Sequence, residues 1–246
     1  IDAPFFHPID LRPPVVPDFD DDRNADPALW DSSTGTWKVF RSSDATVSTI
    51  QWGTNGDKLV PGDYDGDDHT DFAVWRPDNS TWYILQSTNN TLVAVPFGLS
   101  SDTPVAKDYD GDLKTDVAVW RSATGVWYVL KSGTGITTAV QFGTNGDVPV
   151  PADFNGDRRA DCAVFRPSSR VWYIYDYYLN SFSGVEFGLN GDQLAVADYD
   201  GDSKDDIAVW RPSSGNWYVL GSEIGFYSTH FGSTGDVPTP ADYDGD

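Results

Sequence analysis

Apolar residues in this chain come in short runs separated by turns rich in Gly, Pro, Asn, Asp and Ser. Over residues 58–98 the runs are KLVPGDYD, DFAVWRP, TWYILQS and LVAVPFG. Each is heavy in Val, Ile, Trp, Tyr or Phe and carries no helix signal, so the stretch predicts four strands. In WYIL both alternating pairs, Trp82 with Ile84 and Tyr83 with Leu85, are apolar, so both faces of that strand require burial. The WYVL runs at Trp127 and Trp217 have the same character.

The pattern recurs at a fixed step. Trp52-Gly53, Phe97-Gly98, Phe142-Gly143, Phe187-Gly188 and Phe231-Gly232 keep it, as do Trp37, Trp82, Trp127, Trp172 and Trp217. The interval is 45 residues, shortening once to 44 for the Phe-Gly pairs, which marks a repeat architecture. Four-stranded antiparallel units covered on both faces by their neighbours are blades of a β-propeller, and closing the ring removes the apolar ends that a linear stack would expose. The expected fold is all-β, a propeller of five such blades, with repeats at about 13–57, 58–102, 103–147, 148–192 and 193–236. An N-terminal arm (1–12) and an extra strand (237–246) flank them.

Charge sharpens this picture. The 246 residues carry a net charge of -22, and only Glu186 and Glu223 among the 38 acidic residues are glutamate. Aspartate suits tight turns and is poor inside helices. So acidic a surface repels phosphate backbones and anionic lipid, which excludes nucleic acid and membrane surfaces as partners and favours cations. No apolar run is long enough to span a bilayer, and the single cysteine, Cys162, excludes an internal disulfide framework. Methionine is absent even at position 1, which reads as a processed fragment or mature form with any signal peptide removed.

The aspartates concentrate between the first and second strands of each repeat. DYDGDDHTD places Asp63, Asp65, Asp67 and Asp71 at positions 1, 3, 5 and 9 of a loop whose fourth residue is Gly66. Odd spacing on a tightly curled backbone turns side chains inward, and glycine permits the turn. Oxygen-only ligands of this hardness select Ca²⁺, whereas four carboxylates without an ion would repel or take up protons. The corresponding sets are Asp18, Asp20, Asp22 and Asp26; Asp108, Asp110, Asp112 and Asp116; Asp153, Asn155, Asp157 and Asp161; and Asp198, Asp200, Asp202 and Asp206. A sixth motif supplies Asp242, Asp244 and Asp246 and stops before its ninth position. Asn155 keeps an oxygen and drops one charge. Asp21 stands where the other loops carry glycine, so the first loop is expected to be strained or differently shaped.

The string FGTNGDVPVPADFNGDRRADCAVFRPSS resembles the FG-GAP or VCBS type of repeat, and the likeness extends over residues 13–246. It departs at Trp52, at Asp21 and in the cut-off sixth motif. The resemblance implies a propeller with calcium in its DxDxD loops, as in the integrin α-subunit head. It also implies a secreted, extracellular or cell-surface setting. Extracellular-type sites bind calcium at about 0.1 to 1 mM. At tenfold excess over that constant each site adds roughly 1.4 kcal/mol, or roughly 7 kcal/mol for five.

No active site is expected. His69 sits at position 7 of a metal loop, with its imidazole expected to point outward, and neither His7 nor His230 adjoins a nucleophile. Cys162 takes an apolar strand position and reads as core. A glycan-binding propeller is the alternative reading, weakened because all ten tryptophans fall in repeat registers. The tyrosine-rich YIYDYY (173–178) is either a contact patch or a longer hairpin. At the ends, PPVVPDFD and VPTPADYDGD duplicate one leading strand, one copy being surplus to five blades. Either the chain is a piece of a longer propeller, or the spare strand and the arm around Phe5, Phe6, Ile9 and Leu11 dock on another copy and build a filament.

Overall fold

A computed structural model of the chain describes residues 17–243. Its strands form five sheets that build a five-bladed β-propeller, each sheet a simple antiparallel meander. Blade one contains β1 (Ala28–Asp31), β2 (Thr36–Phe40) and β3 (Val47–Gln51). Its expected leading strand falls largely on residues up to 16 and, like the N-terminal arm, lies outside the described residues. Blade two has β4 (Lys58–Leu59), β5 (Phe72–Arg76), β6 (Thr81–Leu85) and β7 (Leu92–Pro96). Blade three has β8 (Thr103–Pro104), β9 (Val117–Arg121), β10 (Val126–Leu130) and β11 (Thr137–Gln141). Blade four has β12 (Val148–Pro149), β13 (Cys162–Arg166), β14 (Val171–Asp176) and β15 (Ser181–Glu186). Blade five has β16 (Gln193–Leu194), β17 (Ile207–Arg211), β18 (Asn216–Gly221) and β19 (Gly225–His230). Among the described residues no helix is long and apolar enough to cross a membrane.

The innermost strands are shorter than the apolar pattern predicts. Each pairs over two residues, and pairing resumes only as an isolated bridge at the end of the acidic loop, as in Gly62↔Asp71 and Ala152↔Asp161. Prolines such as Pro61 and Pro151 interrupt these stretches and supply no ladder donor.

The core lies between blades. Trp75, Trp82 and Ile84 of blade two pack with Val117 and Val119 of blade three, and Trp120, Trp127 and Val129 of blade three pack with Cys162 and Val164 of blade four. The Phe-Gly dipeptides mark where adjacent blades come closest. Gly98 has φ +97°, and a Cβ there would stand 2.9 Å from Val119 of the next blade, so glycine is required by both backbone conformation and space.

In blades one, two, three and five, two tryptophans converge on the carbonyl before that glycine, whereas in blade four Trp172 reaches it alone. In blade three the indole N–H groups of Trp120 and Trp127 donate to Phe142 O at 3.3 and 2.9 Å. Blades one, two and five repeat the clamp on Trp52, Phe97 and Phe231. The repeat-register tryptophans are therefore core residues with their N–H groups satisfied. The second apolar face of the third strands is covered by a cation, since the guanidinium groups of Arg76, Arg121, Arg166 and Arg211 stack 4.2–4.5 Å over Tyr83, Tyr128, Tyr173 and Tyr218.

The terminal segment returns to its own first blade. Ala25 N–H donates to Asp242 O at 2.6 Å, the same bond that joins every successive pair of acidic loops.

Candidate metal loops

Strand direction puts the acidic loops at one end of the propeller together with the turns between third and fourth strands. Numbered from its first aspartate, every loop is wound by the same bonds. The position-1 carboxylate accepts the N–H of positions 4 and 6, at 2.6 and 2.8 Å from Gly111 and Leu113 to Asp108, for example. The position-9 carboxylate accepts the N–H of position 2, at 2.9 Å from Tyr109 to Asp116, and, in every loop but the fourth, a backbone N–H of the neighbouring turn, at 2.6 Å from Ser132. The winding forces position 6 into left-handed backbone at Arg23, Asp68, Leu113, Arg158 and Ser203, with φ between 66° and 69°. Five non-glycine residues held there imply a loop over-determined by its surroundings. Asp21 adopts φ 66° at position 4, where the glycines of the other loops lie at 75–83°. The first loop thus keeps the common shape.

Neighbouring loops are stitched together. The N–H of position 8 donates to the position-1 carbonyl of the preceding loop: Thr70 to Asp18 (2.6 Å), Thr115 to Asp63 (2.5 Å), Ala160 to Asp108 and Asp205 to Asp153 (2.7 Å each). Position-7 side chains reach back as well. Lys114 Nζ donates to Asp65 O at 2.6 Å and Arg159 Nε to Asp110 O at 3.1 Å, while His69 Nε2 lies 3.3 Å from Asp21 Oδ2. The His69 ring, expected to face outward, instead joins the first two loops. Glycine suits position 4 because the backbone there is left-handed, with φ of 75–83° at Gly66, Gly111, Gly156 and Gly201.

The structure brings together one ligand oxygen each from Asp18, Asp20 and Asp22; from Asp63, Asp65 and Asp71; from Asp108, Asp110 and Asp116; and from Asp198, Asp200 and Asp206, each set within 4.8 Å. Position 5 joins the set only in the first loop. In all four of these loops the position-5 aspartate accepts a serine hydroxyl, Asp22 from Ser42 and Asp67, Asp112 and Asp202 from Ser87, Ser132 and Ser222. Asp26 is likewise held by Phe19 N–H and Ser42 N–H. The decisive feature is position 3: buried carboxylate oxygens of Asp20, Asp65, Asp110 and Asp200 have no hydrogen-bond partner. A buried anion without a donor is costly, and a hard cation between positions 1 and 3 removes that cost.

The fourth loop is built differently. Asp157 N–H donates to Asn155 Oδ1 at 2.8 Å, which fixes the amide with its NH₂ facing Asp161 Oδ1 (3.3 Å) and Asp176 Oδ2 (3.0 Å). Asp176, buried at the end of β14, was not visible as part of this loop in the sequence; its register holds Arg41, Gln86, Lys131 and Gly221 in the other repeats. Among the described residues Asp153, Asn155, Asp157 and Asp161 do not form a carboxylate set like the other four. Of the sixth motif only Asp242 is described, and Asp244 and Asp246 lie outside.

Burial raises the position-9 carboxyls, Asp71 and Asp116 to about 6 and Asp161 to about 7, the last helped by the charge of Asp176. A carboxyl whose folded pKa exceeds its unfolded value binds protons more tightly when folded. Metal-free protein should therefore lose stability as pH rises from about 4 to 7, by about 3 kcal/mol for each two-unit shift. With calcium bound the slope should reverse, because the ion competes with protons. Urea unfolding at pH 4.5 and 7.5, with and without calcium, checks both signs.

Sequence reasoning missed a second charged set at the opposite end. Asp57, Asp102, Asp147 and Asp192 close the turns between blades and are gripped by Arg76, Arg121, Arg166 and Arg211, as in the two bonds of 2.9 Å from Arg121 Nε and an Nη to Asp102. Asp102 is 2 % exposed. The signal was available, an aspartate and an arginine 19 residues apart in four consecutive repeats.

Residues 108–164, which span the third acidic loop through β13, match the FG-GAP-like repeat family model. The same register runs through all five blades. The chain is a propeller of FG-GAP-type repeats. No curated protein matches it. Among solved structures, this FG-GAP propeller is similar to a streptogramin B lyase, at 8% identity and a TM-score of 0.56 over 85% of this chain and 66% of the lyase. It is also similar to BBS1N in a complex with ARL6DN (13%, 0.53, 83% and 64%) and to an auxiliary nutrient binding protein from Bacteroides thetaiotaomicron VPI-5482 (13%, 0.56, 88% and 57%). The chain spans just under two thirds of the first two and less of the third. At such identities the likeness concerns fold alone.

Proposed function

We propose that this FG-GAP propeller is a non-catalytic, calcium-stabilised scaffold that works where calcium is millimolar, at the cell surface or outside the cell, as an adhesive or protein-binding module. The observation that carries the calcium part is the buried, partnerless oxygen of Asp20, Asp65, Asp110 and Asp200. In this reading the first, second, third and fifth loops hold Ca²⁺ through positions 1 and 3, with position 9 or, in the first loop, position 5. The Asn155 amide occupies the fourth loop in place of an ion.

The chemistry of the remaining candidates supports a non-catalytic role. Cys162 is buried, its thiol pushed up to about 12 by desolvation, which leaves it unreactive. His69 is tied to Asp21, and His230 Nδ1 to Asn216 at 2.9 Å. Contact with a partner protein is supported by the YIYDYY segment. It forms a long hairpin of β14 and β15 whose turn exposes Tyr177, Tyr178, Leu179 and Phe182, the last two by 74% and 73%. The tyrosines are braced by Arg159, 4.3 Å over the Tyr178 ring, and by Lys131.

Calcium counting tests the assignment. Equilibrium dialysis should show Asp112→Ala weakening or losing one site, because Ser132 and the third loop lose their anchor. Asn155→Asp should add one. Wild-type protein that takes up no calcium at millimolar concentration would reject the reading.

A further inference from the structure

The seam between blade five and blade one lacks what the other seams have. The first loop, through Ala25 N–H, bonds to Asp242 O of the terminal motif and not to Asp198 O of the fifth loop. Among the described residues no backbone N–H reaches Asp198 O, although Asp18, Asp63, Asp108 and Asp153 all receive one at that atom. Residues 237–241 read VPTPA, close to the VPVPA of 148–152, yet they pair with no second strand, whereas Val148 and Pro149 pair with Phe165 and Val164. Apolar side chains on both flanks are uncovered. Trp217 is half-buried, whereas its counterparts Trp37, Trp82, Trp127 and Trp172 are at most 2% exposed. Phe231 is 76% exposed. Leu29 of blade one is 75% exposed, although Val74, Val119, Val164 and Val209 in the same register are wholly buried. Asp236 completes the set. It stands in the register of Asp57, Asp102, Asp147 and Asp192, but among the described residues no arginine grips it, and its carboxylate accepts only the N–H and hydroxyl of Ser233.

From this we infer that the seam between blade five and blade one is a docking site for an extended segment of a partner polypeptide with the pattern apolar-Ala-Val-aromatic-Arg. That is the pattern of β5, β9, β13 and β17, the strands that fill the corresponding place in the other blades. Such a segment adds to residues 237–241 as a new strand through main-chain bonds. Its aliphatic side chains cover Trp217, as Val117 and Val119 cover Trp75 and Trp82. Its arginine reaches Asp236, as Arg211 reaches Asp192 with two bonds of 2.8 Å. A chain of net charge -22 favours a segment that brings a cation. Blade one does not supply the strand, because Asp31 of β1 stands where the others carry arginine and would set a second carboxylate against Asp236. Nor does a second copy, since its four strands of this pattern are each paired within a blade. The inference rests on the protein-binding part of the proposed function and makes it specific. It alters none of the carboxylates assigned to calcium.

The probe is a fluorescein-labelled synthetic peptide copying residues 203–221. It carries the Asp205 N–H that meets Asp153 O within the ring, the aliphatic pair Ile207 and Val209, and Arg211. Fluorescence polarisation against the full chain in millimolar calcium should show saturable binding. Asp236→Ala, at an exposed position, should weaken it about tenfold, a loss of about 1.4 kcal/mol. Arg211→Ala within the peptide should do the same, and the two changes together should cost no more than either alone, because they remove one contact. Leu29→Glu, on the opposite flank and also exposed, should weaken binding without touching the core. No binding to the wild-type chain, binding indifferent to Asp236→Ala and Leu29→Glu, or equal binding of a scrambled peptide would overturn the inference. Dimers of the chain that Leu29→Glu dissociates would assign the seam to a second copy and overturn it as well. Each of these failures leaves the calcium count and the tyrosine hairpin of blade four untouched, so it is distinguishable from failure of the proposed function.

Discussion

Removal of calcium should lower the thermal midpoint of this FG-GAP propeller by about 10–20 °C. Four loops each leave a buried carboxylate oxygen without a donor. At calcium tenfold above the dissociation constant each bound ion contributes about 1.4 kcal/mol, or about 6 kcal/mol for four. A chain of this size loses about 2–4 °C per kcal/mol. The effect should be collective, because the loops are bonded to one another through the position-8 N–H groups. Calorimetric scans in millimolar calcium and in chelator at neutral pH check it. Coincident transitions would discard the calcium assignment while leaving the fold intact.

The second large effect belongs to the opposite end of the molecule. Arg121→Ala should destabilise the protein by about 3 kcal/mol. It leaves Asp102, which has no exposed side-chain surface, as an uncompensated buried charge, and breaking such a pair costs about 3–5 kcal/mol. The lower end applies because the arginine side chain is 23% exposed. Arg121→Lys keeps the charge but loses the two-pronged grip and the stacking on Tyr128, so it should fall between wild type and alanine. Arg170→Ala removes a contact with Glu186 in which both side chains are exposed, and it should be nearly silent. Urea unfolding in saturating calcium measures all three. An Arg121→Ala midpoint equal to that of Arg170→Ala would show that the buried pair does not support the blade junction.

The repeat, the four strands per blade and the wound aspartate loops were legible in the sequence because each leaves a local signature: a fixed step, an apolar run or an odd spacing. The structure places the carboxylates of positions 1 and 3 together in four loops. What escaped was chemistry that forms only when the chain doubles back. Asp102 and Arg121 meet because β8 pairs with β9. The indoles of Trp120 and Trp127 meet on Phe142 O because two strands and a blade-to-blade turn converge. Asn155 looked like a carboxylate with one charge fewer. Its amide has a donor end, and the orientation that the Asp157 N–H imposes aims that end at two aspartates.

The bond from each eighth loop residue to its predecessor involves main-chain atoms at both ends, so it makes no demand on side-chain identity. Thr70, Thr115, Ala160, Asp205 and Ala25 all make it. A gene that gained or lost one 45-residue unit would thus inherit a working junction without a compensating mutation. The main-chain part of the seam is the same between any two units, whatever side chains flank it.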